Sequence, residues 1–311
     1  MTLRSDSNNS LSLIFYSSLF LIISELILLK ISEQLFFLFS YLPLAFLCLI
    51  LRPKEIIQTV SLVLIYLVFL RTFDISTELN LKNIVFLIFV FFISLTFTTL
   101  NHFRNDKEEN FGKVFSNFIL ILCFCLTSFI FFYYKNLDHT NMINNLAELT
   151  KSLGRETSGR EIFDLENTAS LIVDILPSIN FLFILIIFMI NFRLASIMCK
   201  YMKLKTTFDY NFISFIASKN YNYLFLATLA IHFFNITSLK VLTLNILIFL
   251  CSAYIVEGYK KLQNFFNSFK ISNLLKFLII FLLFLFLGYV LLLIIFLVGF
   301  YANIKRLIIK E

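Results

Sequence analysis

Tryptophan is absent from this 311-residue chain, proline occurs three times, glycine six times, and only 14% of the residues are charged. Water-soluble domains carry about 25% charged residues. With 59% hydrophobic residues and a mean hydropathy of +0.89, too little polar surface remains to face water, so the solvent implied is lipid. Scarce proline and glycine leave long helices uninterrupted. Catalytic signatures are missing as well: there is no HExxH, no GxSxG, no P-loop and no metal-spaced His/Cys cluster. These absences argue against an enzyme, a resident metal or a cofactor. Cys48, Cys123, Cys125, Cys199 and Cys251 form no CxxC. In CFC the thiols of Cys123 and Cys125 stand about 200° apart around a helix, so the cysteines read as small buried hydrophobes.

What is present is a succession of apolar runs bounded by charged breaks: 11–29, 35–51, 57–70, 84–100, 114–134, 171–192, 222–238, 241–257 and 274–300. A membrane-spanning helix needs roughly 20 such residues. The expectation is therefore an all-α, polytopic transmembrane helix bundle of eight or nine spans, residues 1–311 forming one integral membrane domain with the lipid bilayer as its first partner. The opening apolar run is longer than the 7–15 residues of a signal-peptide core, so it is expected to stay as a first span. No GxxxG motif is found.

The net charge of +7 does not point to nucleic acid, because the basic residues are scattered through short loops rather than gathered in a stripe with aromatics. With the N-terminus inside, thirteen Lys and Arg fall in short cytoplasmic loops, against Lys30, Arg71, Lys82 and Lys240 in the outer ones. That bias is the positive-inside pattern. The tail NIKRLIIKE departs from it, because nine spans would leave it outside. The abundance of Phe, Ile, Leu, Asn and Lys suggests an AT-rich bacterial genome, hence a bacterial cytoplasmic (inner) membrane.

The longest loop, 135–168, spaces Met142, Leu146, Leu149 and Leu153 on one helical face. SGRE, 158–161, has the form of a capping box. Two short amphipathic surface helices are expected there, either hugging the interface or covering a cavity.

Polar residues inside the runs are the candidate ligand contacts. Glu25, Asp174, His232, Asn235 and Asn245 fall in the same half of the bilayer when the spans alternate, and Asn180 lies a turn beyond Pro177. A carboxylate at a helix centre costs about 2.5–3.5 kcal/mol, less near an interface. Taken singly, Asp174 and Glu25 fit interfacial residues. Taken together, the set fits one outward-facing pocket for a small molecule. The basic segment 193–221, with Arg193, Lys200, Lys203 and Lys205, is an ordinary cytoplasmic loop or a docking site for a cytoplasmic partner protein.

Three stretches carry a resemblance to a known family. LPSINFLFILIIFMINFRLA (176–195) pairs a Leu-Pro with a span ending in Asn and Leu-Ala, SAYIVEGYKKLQNFF (252–266) ends a span in Gly and runs on, and VGFYANIKR (298–306) carries Gly and Arg as in a closing Gly, acid and Arg pattern, with Ala302 at the acid's place. YLPLAFLCL (41–49) echoes a Leu-Pro-Leu in the second span. In these the chain resembles the YybS-like predicted membrane proteins (domain of unknown function 2232). That family is similar at long range to the substrate-binding subunits of energy-coupling-factor transporters. The resemblance implies capture of a small molecule near the outer face beneath loops. Those subunits dock their energising module through AxxxA, which does not occur in this chain. Two functions follow as expectations: a solute-binding transporter or transporter subunit, or a non-catalytic membrane scaffold or assembly factor acting through 193–221.

Overall fold

The computed structural model describes residues 7–72, 81–102, 111–136, 142–144, 148, 159–206, 216–234, 239–268 and 272–309. Every regular element among them is helical. The principal helices are α1 (Ser7–Ile31), α2 (Glu33–Phe39), α3 (Tyr41–Ile50), α4 (Pro53–Thr72), α5 (Leu81–His102), α6 (Phe111–Asn136), α7 (Gly159–Tyr201), α8 (Lys219–Phe233), α9 (Lys240–Ser268), α10 (Asn273–Leu287) and α11 (Tyr289–Ile309). Six stretches are long and apolar enough to cross a membrane: Leu11–Ile31, Glu33–Ile50, Asn83–His102, Gly112–Phe132, Thr168–Tyr201 and Lys240–Ser268. The bent pair Phe281–Leu287 and Val290–Arg306 makes a seventh if it is one broken span. The chain is thus an all-α, multi-pass membrane protein.

The helices form two compact units. Unit 1 comprises Met1–Val114 and Leu185–Phe212, and unit 2 comprises Phe115–Ile184 and Ile213–Glu311. Helix α7 contributes its first part to unit 2 and its last part to unit 1.

In unit 1, α1 turns at Ser32, whose hydroxyl accepts from the Gln34 amide at 3.2 Å and starts α2. Helices α2 and α3 are one span interrupted at Ser40, three residues before Pro43. Pro43 has no N–H to give the Phe39 carbonyl and its ring crowds that position. Pro53 sits at the first position of α4, where a missing N–H costs nothing. Glu55 accepts the Arg52 amide at 2.9 Å there, the reach-back half of a capping box. The core is largely aromatic. Phe97 meets Phe188 and Phe192 at centroid distances of 5.2 and 5.0 Å, and Tyr41 meets Phe188 at 5.8 Å.

In unit 2, α8 pairs antiparallel with α9 through Tyr221 Oη to the Leu250 carbonyl, 2.6 Å, and His232 Nδ1 to Thr243 Oγ1, 2.9 Å. It also pairs antiparallel with α11, through the Ala217 amide to Asn303 Oδ1, 2.9 Å, and Phe225 to Phe296, 6.1 Å. Helices α9 and α11 therefore run the same way, and the end of α11 lies with the end of α9. The expected apolar run 274–300 is thus divided between α10 and α11. Gly288, at φ 51°, takes a left-handed conformation that a side chain would disfavour, and the chain bends there by 114°. As a result Lys305 and Arg306 finish at the same end of unit 2 as Lys219, Lys260 and Lys261.

The second amphipathic helix expected in 135–168 is not a separate element. Helix α7 begins at Gly159, within SGRE, and continues unbroken for 43 residues. Most of the first one, Met142 to Leu153, lies outside the described residues.

Candidate functional site

Pro177 lies inside α7 and explains much of the chemistry around Asp174. Asn245, fully buried on α9, inserts its amide into the α7 ladder beside this proline. Its Nδ2 donates to the Asp174 carbonyl at 2.7 Å and its Oδ1 accepts the Ser178 amide at 2.9 Å. Those two backbone groups would bond to each other in a regular helix; the side chain stands between them, a recognised cause of helix bending. Nδ2 also donates to Val241 O at 2.9 Å, so both amide atoms of Asn245 are engaged by backbone. Asp174 is half-buried and Asn180 exposed, while the half-buried His232 bonds Thr243. Asn235 lies outside the described residues. Of the predicted contacts, the structure thus brings together Asp174, through its carbonyl, and Asn245.

The other end of unit 2 holds a group that sequence reasoning passed over. Glu257, 1% exposed, pairs with Arg306 at 2.7 Å, and Arg306 is 36% exposed. The pair is possible because α9 and α11 approach unusually closely. A Cβ on Gly258 would fall on the carbonyl oxygen of Ile295, and one on Gly299 on that of Tyr254. Small residues permit such contact between membrane helices. Next to this crossing, Tyr254 Oη donates to Asn222 Oδ1 at 2.5 Å, and Ser116 Oγ accepts the Ser218 amide at 3.2 Å. The signal available in sequence was the placement of Gly258 directly after Glu257 and of Gly299 four residues before Asn303, both near a span end.

Unit 1 is different. Glu25 is 1% exposed, on the face of α1 that also buries Ile14, Ser18 and Leu21. Among the described residues, neither of its carboxyl oxygens has a hydrogen-bond partner. The Phe20–Phe46 contact, 6.2 Å, sets α1 antiparallel to α3 with Glu25 level with Ser40 and Tyr41. Both are fully buried, and the hydroxyl of each lacks a partner among the described residues. Asn191, on α7, donates Nδ2 to Leu38 O at 2.7 Å and Ile187 O at 2.8 Å, while its Oδ1 is unbonded. Leu38 lies within one turn of Tyr41, so Asn191 belongs to the same layer. Unpartnered buried polar groups cost roughly 1–3 kcal/mol each, and more when charged. Their concentration here is therefore informative. Neither Ser40 nor Tyr41 was singled out from sequence, because each is ordinary in composition.

Arg193, Lys200, Lys203 and Lys205 are exposed at the end of α7. Lys203 takes the left-handed conformation, φ 55°. The Leu204 amide bonds Cys199 O at 2.9 Å and the Lys203 amide bonds Lys200 O at 3.1 Å. This is a Schellman ending with lysine where glycine is usual.

Comparison with protein-family models, curated proteins and solved structures finds no match. Among the described residues no group of three His, Cys, Asp or Glu is placed to hold a metal.

Proposed function

We propose that the protein is a small-solute carrier, or the solute-capturing subunit of one, in the bacterial cytoplasmic membrane, and that unit 1 holds the solute at Glu25. The observation that carries this is a carboxyl 1% exposed, both of whose oxygens are unpartnered among the described residues. Ionisable residues inside a membrane are costly and mark substrate or ion pathways. A purely architectural role would be better served by leucine, since buried polar groups stabilise only when satisfied. Tyr41, Ser40 and Asn191 complete the layer. Asp174, Asn180, His232 and Asn235 are secondary candidates in unit 2, and Asn245 acts by holding α7. The reading is non-catalytic and accords with the resemblance to the YybS-like family and, distantly, to energy-coupling-factor substrate subunits.

In this reading α4 and α8 also cross the bilayer, giving eight crossings, and α10–α11 enters and returns. The N-terminus is then cytoplasmic, and the basic tail rejoins the other cytoplasmic lysines, consistent with the positive-inside rule.

The test is mass spectrometry of small molecules that co-purify with the detergent-solubilised protein, wild type beside Glu25→Gln. A compound present with wild type and lost from the variant is expected. A folded, monodisperse wild type that carries nothing, and binds nothing from a solute panel, overturns the reading.

One observation favours the scaffold alternative. The end of α7 exposes Tyr201 (89%) and Met202 beside Lys200, Lys203 and Lys205, a mixed basic and apolar tip suited to a cytoplasmic protein partner. Photo-crosslinking from Tyr201 to one non-transport partner would support it; crosslinks to an ATPase module would return the tip to transport.

A further inference from the structure

We infer that the Glu25 layer takes a monovalent cation, a small metal ion or a primary ammonium group, in exchange for a proton. The inference rests on the carrier reading of the same site and narrows its ligand. Among the described residues, the unpartnered atoms in the layer are all oxygens: both carboxyl oxygens of Glu25, Ser40 Oγ, Tyr41 Oη and Asn191 Oδ1. Asn191 has already spent its N–H groups on Leu38 and Ile187, so only its acceptor is left. Carboxyl, amide and hydroxyl oxygens form a hard ligand set suited to hard cations. One carboxylate matches a single positive charge. An anion would meet two carboxyl oxygens and an amide oxygen, and would be repelled. The aromatic wall adds to the fit: Tyr41 stands edge-on to Phe86 and Phe188, at 6.3 and 5.8 Å, which keeps the layer dry and strengthens any charge pair formed in it.

A carboxylate buried without a counter-ion is strongly disfavoured. The group therefore carries a proton until a cation arrives to replace it. The exchange balances as Glu25–COOH + M⁺ → Glu25–COO⁻·M⁺ + H⁺, with the proton leaving the O–H bond for solvent and no electrons transferred. Such a site couples the cation to the proton, since each excludes the other.

The experiment uses the full-length protein in detergent, weakly buffered near neutral pH with a pH-sensitive dye, at constant ionic strength in choline chloride. Sodium chloride, potassium chloride or methylammonium chloride replaces the choline salt stepwise. Wild type is expected to release one proton for each cation bound, saturably, and Glu25→Gln to release none. Glu25→Asp, which keeps the charge but withdraws it by one methylene, is expected to retain release with half-saturation raised about tenfold, as for a weakened hydrogen bond to a charged group. It carries the test if Glu25→Gln does not fold. Release with sodium or potassium alone identifies an inorganic ion, and release with methylammonium alone an amine. Equal release from Glu25→Gln, or none from a folded wild type with any of the three, overturns the inference. If a co-purifying solute still binds wild type without proton release, the carrier reading stands and only the cation falls.

Discussion

Unit 2 and unit 1 differ in how far their buried polar groups are engaged: among the described residues only Glu257 Oε2 and Arg306 Nη1 are left over in unit 2, against a longer set in unit 1. In unit 2, Asn245 fills the gap beside Pro177, Asn303 caps the Ala217 amide, Tyr221 and Tyr254 find partners, and Glu257 finds Arg306. In unit 1, Asn191 meets the break before Pro43 in a similar way, but among the described residues Glu25, Ser40, Tyr41, Ser94 and Asn101 each keep a side-chain oxygen without a partner. Satisfied groups rigidify a core, and unsatisfied ones store free energy that a ligand can release. The contrast separates a unit whose buried polar groups are mostly engaged from one in which several are not.

Substitutions can break that contrast. The largest effect is expected at the α9–α11 crossing. Gly258→Val or Gly299→Val drives a side chain into backbone and should cost about 3 kcal/mol or more, read as early thermal unfolding in detergent. Arg306→Ala strands Glu257 and should cost about 2 kcal/mol, below the 3–5 of a fully buried pair because Arg306 is partly exposed. Adding Glu257→Gln should recover part of that loss; strict additivity in the double mutant would mean the ion pair is not coupled. Asn245→Leu should cost about 1–2 kcal/mol, and hydrogen exchange at the Ser178 amide should show whether α7 closes its own ladder. The smallest effect belongs to unit 1: Glu25→Leu should leave stability within about 0.5 kcal/mol of wild type or raise it by up to about 1. A loss comparable to that of Arg306→Ala would erase the distinction between the units.

Much of the architecture was legible in the apolar runs, because a helix in lipid must satisfy its own backbone and cover it with about 20 apolar side chains. Helices α1, α3, α5, α6 and α9 lie where those runs place them. The reversal at Gly288 was not legible, since Leu and Phe continue across it and hydropathy does not register a change of direction. Glu25 was singled out by its charge, but its burial without a partner was not. His232 and Asn245 were singled out for the same pocket; His232 bonds Thr243, and Asn245 bonds the backbone of α7. The sequence shows that an amide is present in a span, not which carbonyl it will meet.

What the residue string alone settled was class and solvent. A chain this apolar, with charge confined to breaks, can only be a set of helices in a bilayer, because hydropathy and helix length are local properties of consecutive residues. Which helices run alongside one another, that α11 returns beside α9, that Glu257 finds a cation 49 residues away and that Glu25 finds none among the described residues were decided by tertiary packing. Those outcomes depend on side chains distant in sequence meeting across helix faces. In lipid no strong hydrophobic force between helices selects the pairing, so close fit and hydrogen bonding make the choice.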